Sequence, residues 1–391
     1  MRILVLSTWY PYPPDNGSKS RAYYLVQGLA AGHDVTLIAF RPRGTPSAEP
    51  PANIEVVNVS ADPFRYVNLP QWIKYLSPIP LAFWPSRPMQ RVLDEASRTT
   101  TWDAVVAIQT PVAQYATHLA AIPRVIDIDT SFSYQLHGRL NGKVALRAWL
   151  SWQKTHRYET RMFRRFQAGS VVSPKEINFV RSMVKPTACR VEIVPNGVDC
   201  QHHQPATGSA RLDSLIYNGA LTYSANFDAV QFFLAEIYPQ IKRERPTVSL
   251  TVTGSTQGVD LTRLRLDDSV YLSGYLEDMR PVVGGSTVCI VPIRQGSGTR
   301  LKILEAMALG TSVVSTTKGA EGIDARHGDH LLVADDAASF ADCTLRLLRD
   351  VNLRQRLAAN ARRLVEERYD WTHIGQHFTR LVEDSVQRQR S

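Results

Sequence analysis

The 391-residue chain is too long for one ordinary core and reads as two domains or more. Its apolar fraction of 44% and charged fraction of 21% are those of a globular protein, which excludes disorder as the main state. A formal charge of +9 favours anionic partners without choosing among phosphorylated small molecules, anionic lipid surfaces and nucleic acid.

The four cysteines, Cys189, Cys200, Cys289 and Cys343, include no Cys-x-x-Cys pair. Neither a disulfide framework nor a zinc site is expected, and a reducing compartment fits. The opening apolar run Ile3–Leu6 is too short for a signal-peptide core. No stretch approaches the roughly 18 apolar residues of a membrane span. A cytoplasmic protein is expected, with at most peripheral contact with the inner membrane face.

In chain order, residues 2–7 read as a buried strand and 9–17 as a Pro- and Gly-rich loop. Residues 18–31 read as a helix with Leu25 and Leu29 on one face, and 34–40 as a strand. Further β-rich runs cover 54–59, 104–108, 124–128, 170–172 and 191–194, with helical stretches between them, which predicts a parallel α/β sheet. The pattern then restarts. Asn196-Gly197 is a turn signal, and 201–210 is a polar linker without periodicity. A strand at 215–217, a helix at 226–243 and strands at 248–253, 270–272, 288–292, 312–315 and 331–333 follow, and three helices close the chain. The prediction is two Rossmann-like domains facing across a cleft, 1–205 and 206–371, with the helix at about 372–391 packing back on the first. Ligands in such sheets bind at the carboxyl ends of the strands.

The most informative stretch is 290–310. A strand ends at Pro292, a Gly-Ser-Gly loop follows, Thr299 is a suitable N-cap, and a helix runs to about Leu309 before Gly310 stops it. Arg294, Arg300 and Lys302 crowd the helix start, and no acid precedes Glu305. A helix N-terminus is itself partly positive, so three cations there make sense around an anion. Free amides, glycines and cations together would cradle phosphates. The alternative is a solvated basic helix start. Glu305 lies beside Leu301, Leu304 and Ala308, and a carboxylate next to a buried stripe needs a partner. A ribose diol would serve, and so would a structural salt bridge.

Several motifs occur in register along nearly the whole chain: Asp15-Asn16-Gly17-Ser18-Lys19-Ser20-Arg21, Val194-Pro195-Asn196-Gly197-Val198-Asp199, Thr299-Arg300-Leu301-Lys302-Ile303-Leu304-Glu305, Glu305-Ala306-Met307-Ala308-Leu309-Gly310 and Lys318-Gly319-Ala320-Glu321-Gly322. Together they resemble the group 1, or family 4, glycosyltransferases. The resemblance implies the GT-B fold and a nucleotide-diphosphate sugar donor, such as a UDP- or GDP-sugar, bound mainly by the second domain. It implies an acceptor bound mainly by the first domain, usual retention of anomeric configuration, and no metal or other cofactor. On it, Glu305 would hold the donor ribose and the amides from Gly298 to Leu301 would meet the diphosphate. Gly17 would approach the donor from the first domain, and Tyr275 would lie under the donor base, or else belong to the core as a bare aromatic more often does. Ser297 stands where many members carry a glutamate for the donor sugar. Residues 219–226 offer neither the Arg nor the Lys that many members place there, so Arg300 and Lys302, with Arg294, are expected to take over that charge.

Lesser signals keep two readings each. Asp127-Ile128-Asp129 matches a metal–nucleotide motif of another fold, but no further oxygen ligands cluster nearby. Asp129 would orient the acceptor hydroxyl or donor sugar, or act as base in an inverting reaction, or cap its strand end. On the acceptor side, Asp15 and Asn16 precede Lys19 and Arg21, which would bind an acceptor phosphate or face water. His202-His203 lacks metal-ligand spacing and reads as surface. Residues 139–165 hold eight Lys or Arg and one acid, Glu159, with Val144, Ala148 and Trp152 in a stripe beside Trp149. This basic amphipathic helix is a solvated face, or a docking element for an anionic membrane near a glycan or lipid-linked acceptor. The stretch from Trp72 to Trp84 would join that surface. No nucleic-acid-binding motif is present. The rival functions are a nucleotide-sugar epimerase and a non-catalytic nucleotide-sugar or glycan-binding protein.

Overall fold

A computed structural model describes residues 1–44, 48–64, 77, 79–138, 146–205, 208, 210–296 and 300–390. The chain forms two compact units, residues 1–195 with 374–391, and residues 196–373.

The first unit holds a seven-stranded sheet in the order β3-β2-β1-β4-β5-β6-β7. Its strands are β1 Arg2–Ser7, β2 Asp34–Phe40, β3 Ile54–Val59, β4 Ala104–Ile108, β5 Arg124–Asp129, β6 Ala168–Val171 and β7 Arg190–Ile193. All neighbours pair parallel. Ile3 to Leu6 and Ala104 to Ile108 are fully buried, as central strands of a sheet covered on both faces must be. Between β1 and β4 the strand order reverses, and the loops there diverge.

Helix Gly17–Ala30 begins at that edge. The Asn16 side chain caps it, accepting from the Lys19 amide at 3.1 Å. Lys19, buried rather than facing water, pairs with Asp15 at 2.8 Å. Arg21 is completely buried. Its Nε and Nη2 donate to both oxygens of Asp127 at 2.9 and 2.6 Å, and its Nη2 and Nη1 donate to the carbonyls of Val194 and Pro195 at 2.9 and 3.2 Å. Asp127 also accepts from the Ser170 hydroxyl at 2.7 Å. The acceptor-side role expected for Arg21 is therefore corrected. Its guanidinium is spent inside the unit, tying the first helix to β5, β6 and the chain leaving β7.

The last helix, Trp371–Arg390, docks on the first unit through a glycine contact. A Cβ on Gly28 would lie 2.8 Å from the Cα of Gly375. His33 Nε2, 3.0 Å from Glu383, and the Arg190–Asp384 ion pair, also at 3.0 Å, flank the contact.

The second unit holds a six-stranded sheet in the order β10-β9-β8-β11-β12-β13. Its strands are β8 Arg211–Asn218, β9 Ser249–Thr253, β10 Val270–Gly274, β11 Ser286–Val291, β12 Ser312–Ser315 and β13 Leu332–Val333, again all parallel. The order reverses between β8 and β11. The division between units falls at 195/196, ahead of the expected 205/206. The reason is hydrogen bonding: the Val198 amide donates to Tyr369 O at 2.8 Å, the Cys200 amide to Asp370 at 3.0 Å, and Arg362 to the Cys200 carbonyl at 2.9 Å. The helix expected over 226–243 runs from Ser224 to Glu244, with a widened π turn at Phe233–Ile237. Pro239 has no amide for the carbonyl four residues back, and a wider turn relieves its ring.

The buried Arg21–Asp127 pair makes a test of this architecture. Arg21→Met leaves an uncompensated buried carboxylate and is expected to cost about 3–5 kcal/mol in urea unfolding, with much of the loss recovered by adding Asp127→Met. A variant of unchanged stability that loses only acceptor affinity would return Arg21 to the acceptor side.

Candidate functional site

In the second unit the carboxyl ends of β8 and β11 flank the reversal of strand order, and side chains from three elements meet there. β8 ends in Asn218, whose amide group donates to Glu305 Oε2 at 2.9 Å. Helix Leu301–Ala308 follows β11 and presents Lys302 and Glu305 one turn apart. Lys302 Nζ donates to Asn226 Oδ1 at 3.0 Å and sits 4.0 Å above the Tyr217 ring. Asn226 is fixed in turn, accepting from the Tyr217 hydroxyl at 2.8 Å and donating to Ala220 O at 2.8 Å. Gly219 makes this possible. A Cβ there would lie 2.6 Å from Lys302 Nζ and 2.9 Å from Asn226 Nδ2.

Both charged groups are perturbed. Burial lowers the Lys302 ammonium to about 7, and the nearby Arg300 charge pushes the same way. Burial raises the Glu305 carboxyl to about 7, against the pull of Lys302 and the Asn218 hydrogen bond. Near neutral pH both sit close to their midpoints, so either protonation state is within reach of a ligand.

The helix begins at Leu301, with Arg300 in the N-cap position and no side-chain cap. Thr299, the expected cap, lies outside the described residues. Arg300 is buried and donates to Gln295 O at 3.3 Å. Ser297, Gly298 and Thr299 lie outside the described residues. Arg294 is drawn off the helix start: its guanidinium pairs with Asp228 at 2.8 Å and stacks 4.2 Å over Phe232. The expected trio of cations reduces to Arg300 and Lys302. Tyr275 follows β10, the outer strand two places from β8, and is 71% exposed.

In the first unit a second group forms at the matching edge. Asp129 ends β5 with φ of 53°, a left-handed conformation rare outside turns and sites. Burial raises its carboxyl to about 6, opposed by Arg21. Gln109, after β4, also holds a positive φ of 73° and hydrogen-bonds Asp129. Glu176 is buried on helix Pro174–Met183 and raised to about 7, chiefly by burial, with the Asp129 charge adding. Gly17, Asp15, Asn16 and Lys19 form the start of helix Gly17–Ala30 in the same unit. Gln109, Glu176, Asn218 and Asn226 escape sequence reading. Only Glu176 left a local signal, the capping box Ser173-Pro174-Lys175-Glu176.

Among the described residues no group of three His, Cys, Asp or Glu is placed to hold a metal ion. No helix among them is long and apolar enough to cross a membrane. Helix Leu146–Phe163 and the turn at 164–165 make up the described part of the basic stretch, and 65–76, 78 and 139–145 lie outside the described residues.

Residues 15–202 match the glycosyltransferase family 4, and residues 213–350 match the glycosyl transferases group 1. An uncharacterized 44.6 kDa protein of the Klebsiella pneumoniae cps region is 27% identical over 165 residues, which is 40% of this chain and 42% of that protein. The glycogen synthase of Mycobacterium tuberculosis is 25% identical over 404 residues, covering 96% of this chain and 92% of the synthase. Among solved structures, sucrose-phosphate synthase from Thermosynechococcus elongatus reaches a TM-score of 0.76 at 16% identity over all of both chains. Anabaena HepE in complex with UDP reaches 0.69 at 16% identity, over 98% of this chain and 100% of that one. These structural likenesses establish the GT-B fold, two Rossmann-like halves each built on a parallel sheet. With both halves matched by their family and the motifs in register, the chain belongs to the group 1, family 4 glycosyltransferases.

Proposed function

We propose that the chain moves a sugar from a nucleotide-diphosphate donor to a hydroxyl of a glycan or lipid-linked acceptor, with retention of anomeric configuration. The observation that carries this reading is the pair Lys302 and Glu305 on one helix start, held at the β8–β11 edge by Asn218, Asn226 and Gly219. Solved relatives in fold support the donor class: HepE has been seen with UDP and with UDP-glucose.

In this reading Glu305 accepts from the ribose hydroxyls, and Arg300, Lys302 and the free amides at the helix start face the diphosphate. Leaving-group charge grows on that diphosphate in the transition state, and cations and dipoles already in place stabilise it without reorganising. With retention the departing phosphate oxygen takes the acceptor proton, so no strong protein base is needed. Asp129 then orients the acceptor hydroxyl or donor sugar. Protein groups supply the positive charge, so the reaction proceeds without a metal or other cofactor.

Three outcomes are expected. Lys302→Met and Glu305→Gln each weaken sugar-nucleotide binding by about 1.5–3 kcal/mol in calorimetry against a panel of UDP- and GDP-sugars. Unchanged affinity in both would remove the donor site from this helix.

Proton exchange gives a sharper test. A bound diphosphate favours the Lys302 ammonium and so takes up a proton near pH 7.5, because the free group titrates at about 7. A bound ribose favours the Glu305 carboxylate and so releases the fraction of a proton that the group still holds at that pH, a minority because it too titrates at about 7. The two oppose in the wild type. Calorimetry in buffers of different ionisation enthalpy is expected to show net uptake in Glu305→Gln and net release in Lys302→Met. No exchange in either variant would mean that neither group meets the ligand.

Finally, EDTA is expected to leave donor turnover unchanged. A loss restored by magnesium or manganese would overturn the metal-independent reading.

A further inference from the structure

Helix Leu146–Phe163 of the first unit has two unlike faces. Its inner face buries Thr155, Glu159, Met162 and Phe163. Glu159, the acid of the basic stretch, accepts from the Ser131 hydroxyl at 2.7 Å and from the amides of Phe132 and Ser133 at 2.9 and 3.0 Å. It is consumed inside the unit and neutralises nothing on the outer face.

That outer face opens with large apolar side chains in solvent: Leu146 is 72% exposed, Leu150 53% and Trp149 42%. Next to them lies a groove of about 800 Å³. Ile79, Trp149 and Leu150 give it apolar walls, and Arg157, Arg161 and Arg165 line it with positive charge. Arg157 and Arg161 lie one turn apart on the helix, and Arg165 follows in the turn just past its end. Among the described residues that line the groove, none is acidic. Among the described residues, none of these three arginines makes an ion pair with a carboxylate. Lys154, also in the lining, is turned inward and donates to the Ser77 carbonyl.

An occupant must match both halves of this surface. A soluble sugar phosphate or a nucleic acid would satisfy the arginines and leave Leu146 and Leu150 in water. A phosphate carried on an acyl chain satisfies both. We propose that this groove seats the phosphate headgroup of a lipid in an anionic bilayer, with Leu146, Trp149 and Leu150 entering the acyl boundary beside it. Exposed aromatic and aliphatic side chains on one flank and basic ones on the other are what an interfacial helix requires. The proposal stands apart from the glycosyl-transfer reading, because its readout is membrane binding and not turnover.

The test is co-sedimentation of the full chain with vesicles of phosphatidylcholine alone and of phosphatidylcholine with phosphatidylglycerol. Binding is expected only to the anionic vesicles, weakening as salt rises. Each cation at an anionic surface contributes roughly fivefold, so Arg157→Ala, Arg161→Ala and Arg165→Ala together are expected to weaken binding about a hundredfold. Trp149→Ser with Leu150→Ser is expected to weaken it about tenfold. A control removes equal charge from exposed positions of the second unit, Arg346→Ala, Arg356→Ala and Arg363→Ala together, and is expected to stay within about threefold of the wild type. Circular dichroism checks that each variant folds. Three results would overturn the proposal: no binding to anionic vesicles by the wild type, equal losses in the two triple variants, or glycerol phosphate displacing the protein from vesicles at matched phosphate concentration. The last would make the groove a site for soluble phosphates.

Discussion

Every strand in both sheets runs parallel to its neighbours, and the placement of function depends on that constraint. Parallel strands present all their carboxyl ends at one edge, and each chain segment must cross back along a face to begin the next. Where the strand order reverses, the loops from two central strands turn in opposite directions and leave an open place. Polar groups gather at that place or one strand beside it in each unit. Asp129 and Gln109 hold left-handed backbone at the ends of β5 and β4. Asn218 and Gly219 end β8 directly opposite the start of helix Leu301–Ala308.

The two units treat buried charge differently, and the difference separates scaffold from site. In the first, Arg21 meets Asp127 in a two-point contact, with carbonyls and a hydroxyl satisfying the remaining atoms. Such a pair is internally satisfied and holds elements together, with its residual charge felt at Asp129. In the second, Lys302 and Glu305 are shifted toward neutrality from opposite sides, and their partners are neutral amides. Neutral partners leave charge to be completed by something else. By the same measure Asp129 and Glu176, raised together at the edge of β5, form the part of the first unit where charge is unsettled.

Much of this was legible in sequence, for identifiable reasons. Central strands buried on both faces show as unbroken apolar runs, so β1, β2 and β4 have the limits expected for them. The segment around 290–310 shows strand, glycines, cations and carboxylate in one stretch, because that part of the site is local in the chain. What escaped was non-local. Arg21 looks like a solvated residue at a helix start, since its partner Asp127 lies 106 positions away. Asn218 reaches Glu305 across 87 positions, and nothing near it in sequence advertises that contact. Between the Asn196-Gly197 turn and the linker expected at 201–210, nothing in the sequence signals that the Val198 and Cys200 amides bond to residues 369 and 370. Arg294 misled for the opposite reason: it is close to the site in sequence, and Asp228 draws it elsewhere.

Glu159 shows how burial reshapes a charge pattern that composition alone leaves ambiguous. Counted along the chain, it offsets one of the cations between 139 and 165. In the fold it lies inward and caps the start of helix Phe132–Gly138. A carboxylate bound by two amides and by hydroxyls at a helix N-terminus has its charge answered locally. Among the described residues, Glu159 therefore forms no ion pair with the outer arginines, although it lies only two residues from Arg157 and from Arg161. Inward acid, exposed leucine and tryptophan, and outward arginine are segregated around this one element, and that segregation is the feature on which the proposed lipid contact rests.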